Sequence, residues 1–326
     1  MWKANVTIAA VLIGAAASGL TCGGGSASHR SGPTPTPVAT SHRPAGPAQP
    51  PSASPGLMRH GVVLYWTEAP FPSIRRARLD GTGNRRILHN KQNSKRPRLS
   101  PDGRWIAFDG APPGKPAFSD FDIQIVRPGG GDRRTLTNSS AWDVDADWSP
   151  DGRWLSLSRA TPHSGDLSRS SSIWLVRRDG THAHRLVEGY GARWAPDGRR
   201  LVYQPRAGQG RRLAIIDADA SNQHVILQSG HFVSPAAWSP DGRHILLTEE
   251  TSGGAGGEVA VAAADGSDLR RLRRGFAAAY SPDGAAILYT TAALEGELRV
   301  MNSDGSRVRR LGGLHGSEPS WGVATR

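Results

Sequence analysis

An all-β fold of four-stranded sheets repeated around an axis is predicted by three features of this 326-residue sequence. First, a ten-residue element recurs five times: "LSPDGRWIAF" from Leu99, "WSPDGRWLSL" from Trp148, "WAPDGRRLVY" from Trp194, "WSPDGRHILL" from Trp238 and "YSPDGAAILY" from Tyr280. The copies start 49, 46, 44 and 42 residues apart, close to the repeat length of a β-propeller blade. Second, another hairpin-like element alternates with it in six copies, beginning at Ile74, Ile123, Ile173, Leu213, Val259 and Leu298. Third, 40 Gly and 24 Pro with no Gly-X-Y period exclude collagen and fit a chain rich in turns.

Each element has a local physical reason. In Ser-Pro-Asp-Gly, proline presets φ for the second turn position, Asp suits the third, and Gly accepts positive φ as the chain reverses. The apolar, partly alternating flanks, such as Trp148 before the turn and Leu155 and Leu157 after it, read as two paired strands. In the second element an apolar strand (173–176) meets a turn at Asp179-Gly180 and a short strand ending at Leu186 and Val187. Paired arginines mark that last strand: Arg85/Arg86, Arg133/Arg134, Arg270/Arg271 and Arg309/Arg310. Basic side chains there would blunt an exposed sheet edge. Two copies depart locally, with Ala195 in place of the turn serine and Asp219-Ala220 in place of Asp-Gly.

Residues 58–326 divide into six units of about 45 residues. The first unit opens at "VVLYW" (62–66), which matches the strand after a Pro-Asp-Gly turn, and lacks the strand before it. The last segment, "SEPSWGVATR" from Ser317, supplies the missing type of strand. The expected architecture is therefore a six-bladed β-propeller, closed by residues 318–323 lying beside 62–66 as the innermost strand of blade one.

The first 57 residues differ in kind. They contain no Asp or Glu, begin with Lys3, and carry an apolar run over 6–20, the length of a signal-peptide core rather than a membrane span. Cys22, the only cysteine, follows that run, so residues 1–22 resemble a bacterial lipoprotein signal in which this cysteine becomes lipidated. A single cysteine also excludes an internal disulfide framework. Residues 23–57, rich in Gly, Ser and Pro, read as a disordered spacer.

The repeats over 58–326 resemble the WD40-like repeats of the TolB-type six-bladed propellers. That resemblance implies an envelope binding or scaffold protein, because TolB itself binds a peptidoglycan-associated lipoprotein. It equally implies a second class, since related propellers occur in polysaccharide lyases and in prolyl-oligopeptidase-type enzymes. TolB carries a separate α/β domain before its propeller, and here only the spacer occupies that place.

The search for chemistry is sparse. There is no Gly-x-Ser-x-Gly elbow, no His-Glu-x-x-His and no phosphate-binding Gly-x-x-x-x-Gly-Lys-Ser/Thr. His182 and His184 alternate in a hairpin turn without a third ligand and read as solvated. Asp143, Asp145 and Asp147 place oxygens at alternate positions and could hold Ca²⁺, or serve as an acidic loop paired with arginines. The residue before each strand aromatic (or Leu99) runs Arg98, Asp147, Arg193, Ala237, Ala279, Ser320. On innermost strands these should ring the axis, with Asp147 able to pair with Arg98, Arg193 or both; the set then reads either as a structural ion pair or as a polar floor for an anionic ligand. The irregular mouth loops hold Trp142, Asp143, His163, Asp166, Tyr190, His231, Phe232 and Glu249. No catalytic residue or resident metal is assigned.

Residues 58–326 carry 37 basic and 28 acidic side chains. A basic, exported protein suits an envelope protein or an anionic wall polysaccharide as partner, with the membrane reached through the lipid anchor. Nucleic acid is not expected, and the chain is expected to be a monomer.

Overall fold

The computed structural model describes residues 61–68, 71–88, 93–112, 114, 121–162, 170–206, 210–250 and 256–323. The leader, Cys22 and the 23–57 spacer lie outside the described residues, as do His163 and Asp166. Every described element is a β-strand, and every pairing is antiparallel.

The strands fall into four-stranded groups. β1 (Gly61–Thr67), β2 (Ser73–Arg78) and β3 (Arg85–Arg86) open the chain. β4 (Ser94–Leu99), β5 (Ile106–Gly110), β6 (Asp122–Val126) and β7 (Arg134–Thr135) form a complete sheet. Next come β8 (Trp142–Trp148), β9 (Trp154–Ala160) and β10 (Ser171–Arg177), then the long β11 (His184–Trp194). β12 (Arg200–Pro205), β13 (Arg212–Asp217) and β14 (His224–Gln228) follow it. β15 (Phe232–Trp238), β16 (His244–Glu250), β17 (Gly257–Ala263) and β18 (Arg270–Arg274) make a second complete sheet. β19 (Phe276–Tyr280), β20 (Ala286–Thr290), β21 (Gly296–Asn302) and β22 (Arg309–Val323) end the chain.

The sequence suggests an outer strand ending near Leu186 and Val187; instead, β11 continues unbroken to Trp194. Its first half pairs with β10 and its second half with β12. β22 does the same between β21 and β1. Gly61 faces Val323 and Trp66 faces Ser317, so the carboxy-terminal segment lies beside the first strand, as the repeat offset predicts.

Packing between the groups supplies the core. Ile74, Ile106 and Phe108 pack between the first and second groups, and Ala107, Trp148 and Leu157 between the second and third. At the far end Leu288, Val300 and Leu314 of the last group pack on Val63, Tyr65 and Ala77 of the first. Of the tryptophans of the repeat, Trp105, Trp148, Trp194 and Trp238 are buried and Trp154 is partly buried.

The Pro-Asp-Gly turns are built alike. Ser149 donates to Asp151 at 2.6 Å and accepts from Trp154 N at 2.9 Å, and the Ser100, Ser239 and Ser281 turns repeat this. Where Ala195 removes the hydroxyl, Asp197 instead accepts from the backbone of Arg199 and Arg200 and from Arg200 Nε at 2.7 Å. Ala220 keeps the turn geometry of the glycines it replaces at φ 70°, with Ser221 N bonded to Asp219.

Candidate functional site: the inner-strand lining

The inner strands β4, β8, β11, β15, β19 and β22 share one irregularity. Each slips register against its neighbour, between Lys95 and Arg98, Val144 and Asp147, Tyr190 and Arg193, Pro235 and Ala237, Phe276 and Ala279, and at Glu318-Pro319 opposite Tyr65. Such bulges bend a strand and re-aim one side chain. The residue three before the strand aromatic takes positive φ in five of the six: Arg96, Asp145, Gly191, Ala277 and Glu318, with Pro235 the exception. Non-glycine residues rarely adopt that region, and where they do the surroundings must hold them.

In four neighbouring strands these positions meet as a chain of charges. Glu318 accepts from Trp66 Nε1 at 3.0 Å and from Arg96 Nε at 3.2 Å. Arg96 Nη1 reaches Asp109 at 2.9 Å, and the other Asp109 oxygen accepts from Asp145 N at 3.3 Å. Asp145 takes both of its bonds from Arg193 Nη2, at 2.8 and 3.1 Å. Arg193 also donates to the carbonyls of Ala192 and Ala236. At the rim, Lys95 lies 4.3 Å over the Trp66 ring and 3.4 Å from Glu68.

The electrostatics follow from burial. Asp109 is wholly buried, and desolvation pushes its carboxyl up to about 6 despite Arg96, with Glu318 adding repulsion. Desolvation acts on Asp145 too, but the Arg193, Arg98 and Arg96 guanidiniums outweigh it and hold that carboxyl below its ordinary value. Asp147 is raised by burial. Burial and the Arg193 charge lower Arg98, whose guanidinium donates only to the Pro97 carbonyl, at 3.2 Å. Among the described residues no carboxylate lies within ion-pair distance of Arg98.

The expected pairing of Asp147 with an arginine is corrected here. Arg193 pairs with Asp145, and Asp147 instead accepts from Trp194 N at 2.9 Å. The bulge between Val144 and Asp147 breaks the alternation that puts the three aspartates on one face. Asp143 is buried and held by Arg159 at 2.7 and 2.8 Å. With three different partners these carboxylates do not fit a calcium ion, and among the described residues no three His, Cys, Asp or Glu side chains converge on a metal position.

The other expected residues stand apart from this lining or beside it. Tyr190 is half-buried next to Trp142 and Val144, and burial raises its hydroxyl pKa. Trp142 is a core residue, edge-on to Phe121 at 5.4 Å. Phe232 packs over Gly210, where a Cβ would collide with its ring. Glu249 is buried; desolvation would raise it, but Arg271 at 2.6 Å and the Ser229 hydroxyl keep it low. His231 N bonds Ser229 Oγ at 3.0 Å, which groups His231 with Glu249 rather than with Arg98 and Arg193. His182 and His184 are exposed. Sequence reasoning missed Arg96, Asp109 and Glu318. An alignment of the third residue before each strand aromatic, rather than the one just before it, would have exposed two of them.

Arg96, Arg98 and Glu318 are partly exposed charged residues of this lining, with the half-buried Tyr190 beside them.

The fold and this lining define a repeat-built β-propeller of the binding or catalytic kind. The chain belongs to the TolB beta propeller domain family, whose model matches residues 74–325. It is 35% identical over 159 residues to the Tol-Pal system protein TolB of Anaeromyxobacter dehalogenans, which covers 44% of this chain and 35% of the relative. The chain thus spans about a third of that relative's length. Among solved structures, TolB from Acinetobacter baumannii is similar at a TM-score of 0.67 and 19% identity, over 81% of this chain and 67% of that one. An oligogalacturonate lyase in complex with manganese is similar at 0.52 and 13% identity, over 76% and 73%. These structural likenesses concern the fold alone.

Proposed function

We propose that this protein is a six-bladed, ring-closed propeller acting outside the cytoplasm as a non-catalytic module that binds an envelope protein. Counting β11 and β22 in both groups they join gives six four-stranded blades. Closure is supported by the pairing of β22 with β1 and by the apolar cluster the last and first groups share. The observation carrying the binding reading is the convergence of charged side chains from four inner strands, with no carboxylate within ion-pair distance of Arg98 among the described residues. Membership in the TolB propeller family, and the Tol-Pal system named for its curated relative, support an envelope protein as the partner. In this reading the protein works as a monomer, and Cys22 carries a lipid that tethers the propeller through the 23–57 spacer.

Retention of envelope proteins by the immobilised full chain tests this. Arg98→Glu reverses this charge and is expected to cut retention of the partner at least about tenfold. Because it also removes a charge that steadies Asp145 and Asp147, Arg98→Gln, which only neutralises it, is the milder companion variant and should weaken retention in the same direction. Retention unaffected by that reversal, or retention of an anionic glycan alone, overturns the protein-binding reading.

A second reading, a polysaccharide lyase acting on an acidic glycan, draws on the same convergence of arginines with carboxylates. The charged network contains no histidine. Release of unsaturated uronate products by the purified protein, lost in Arg98→Glu, would establish it in place of the first.

A further inference from the structure

The arginines of the first outer hairpin differ from Arg271, Arg299 and Arg310 on the outer hairpins of the last two groups. β2 and β3 set Arg75 opposite Arg86 and Arg76 opposite Arg85. Like charges directly opposite one another destabilise a strand pair. In the last group Arg299 also faces Arg310, but there Glu297 binds both, at 2.7 and 3.2 Å. On β18, Arg271 is met by Glu249 at 2.6 Å and by Glu258 at 3.4 Å. In the first hairpin the partners are neutral. Asn84 Oδ1 accepts from Arg75 Nε at 3.0 Å, the Pro128 carbonyl from Arg76 at 3.3 Å, and the Thr82 hydroxyl from Arg78 at 3.5 Å. Among the described residues no carboxylate lies within ion-pair distance of Arg75, Arg76, Arg78, Arg85 or Arg86. Asp80, the acid nearest in sequence, is turned into its own loop, bonded to the Thr82 amide at 2.8 Å and hydroxyl at 2.6 Å.

Three of these arginines share a cavity. Arg76, Arg78 and Arg85 line a cleft of about 280 Å³ together with Ala77 and Gly83. Arg76 and Arg78 are two apart on one strand and Arg85 faces Arg76, so all three stand on one face of the hairpin. Burial, then the charges of Arg85 and Arg78, disfavour the Arg76 guanidinium. A bound anion would relieve that strain. Three guanidinium forks suit a tetrahedral oxyanion carrying about two negative charges better than a carboxylate, which offers two oxygens and one charge.

We propose that the cleft between Arg76, Arg78 and Arg85 is a phosphate-binding site, on the outer hairpin and away from the inner-strand lining. The phosphate could be a soluble ion or ester, or the headgroup of an anionic phospholipid; the chemistry is shared, and the experiment separates the sources.

The test is thermal unfolding of the full chain in inorganic phosphate and in chloride at matched ionic strength. Phosphate is expected to raise the midpoint by about 2–4 °C beyond chloride. Arg76→Gln with Arg85→Gln should abolish that difference, and Arg299→Gln, whose site already holds Glu297, should keep it. Should the double variant fail to fold, Arg85→Gln alone, at an exposed position, should reduce the difference by at least half. Sedimentation with phosphatidylcholine vesicles containing phosphatidylglycerol supplies the second arm. Retention lost in the double variant assigns a lipid headgroup, whereas a phosphate response without arginine-dependent retention assigns a soluble phosphate. Equal effects of phosphate and chloride on the wild-type chain, or variants matching it in both assays, overturn the proposal.

Discussion

Two sides of the inner-strand lining share a backbone and differ in nearly everything else. On β22, β4, β8 and β11 the bulge positions and those two residues later include Glu318, Arg96, Arg98, Asp145, Asp147 and Arg193. On β15 and β19 the equivalent positions are Pro235, Ala237, Ala277 and Ala279. The register slip is present on both sides, and Ala277 adopts the same left-handed φ as Arg96 and Asp145. The bulge is therefore a property of the repeat, while the charge is a property of individual blades. A scaffold that fixes geometry at six positions and leaves their chemistry free can place a polar patch on one side only.

The comparison can be broken most directly at Arg193. Replacing it with leucine leaves Asp145 buried without its partner, and loss of about 3–5 kcal/mol is expected in urea unfolding. Ala237→Leu, on the apolar side, is expected to cost under about 1.5 kcal/mol. Equal losses would remove the distinction between the two sides.

The next effect is one of pH. The Asp109 carboxyl titrates near 6 in the folded chain, above about 3.9 when unfolded, so the folded state holds the extra proton between those values. Its contribution therefore favours folding at low pH and is lost as pH rises from about 4 to about 6. Asp145, held below its ordinary value, acts with the opposite sign: its contribution is present above the ordinary carboxylate range and lost as pH falls through the depressed value. Asp109→Asn should flatten the decline between pH 4 and 6 by about 2–3 kcal/mol over the window. A decline as steep as that of the wild-type chain would show that Asp109 is not its source.

Smaller effects sharpen the picture. Glu318 is partly exposed, so Glu318→Gln should cost only about 1 kcal/mol, while weakening partner retention because Arg96 keeps Asp109 but loses the second of its two carboxylates. Ala279→Ser should change the unfolding free energy by less than about 0.5 kcal/mol and leave retention intact. Loss of binding in Ala279→Ser with none in Glu318→Gln would place recognition on the apolar side.

How much of this was readable in advance differs by residue. The strand following each turn, the turn itself and the return of residues 318–323 to 62–66 followed from repeats that need only local pattern to be seen. Arg98, Asp147 and Arg193 were legible as inner-strand residues for the same reason. Their partners were not. Asp143, Asp145 and Asp147 alternate in sequence, and a regular strand would put all three on one face. One extra residue in the bulge changes that parity, so Asp143 goes to Arg159, Asp145 to Arg193 and Asp147 to the Trp194 amide. Arg96 and Asp109 were missed because nothing local says that a bulge sits between Lys95 and Arg98.

By itself, then, the chain's sequence determined turn chemistry and strand pattern, because each depends on residues within a few positions of one another. Only the tertiary structure decided which charges meet. Arg96 and Glu318 lie 222 residues apart, and Arg193 and Asp145 lie 48 apart, on strands that do not pair with one another. Such pairs are brought together by the packing of one sheet against the next, and the bulge that aims them leaves no local mark in the order of the amino acids.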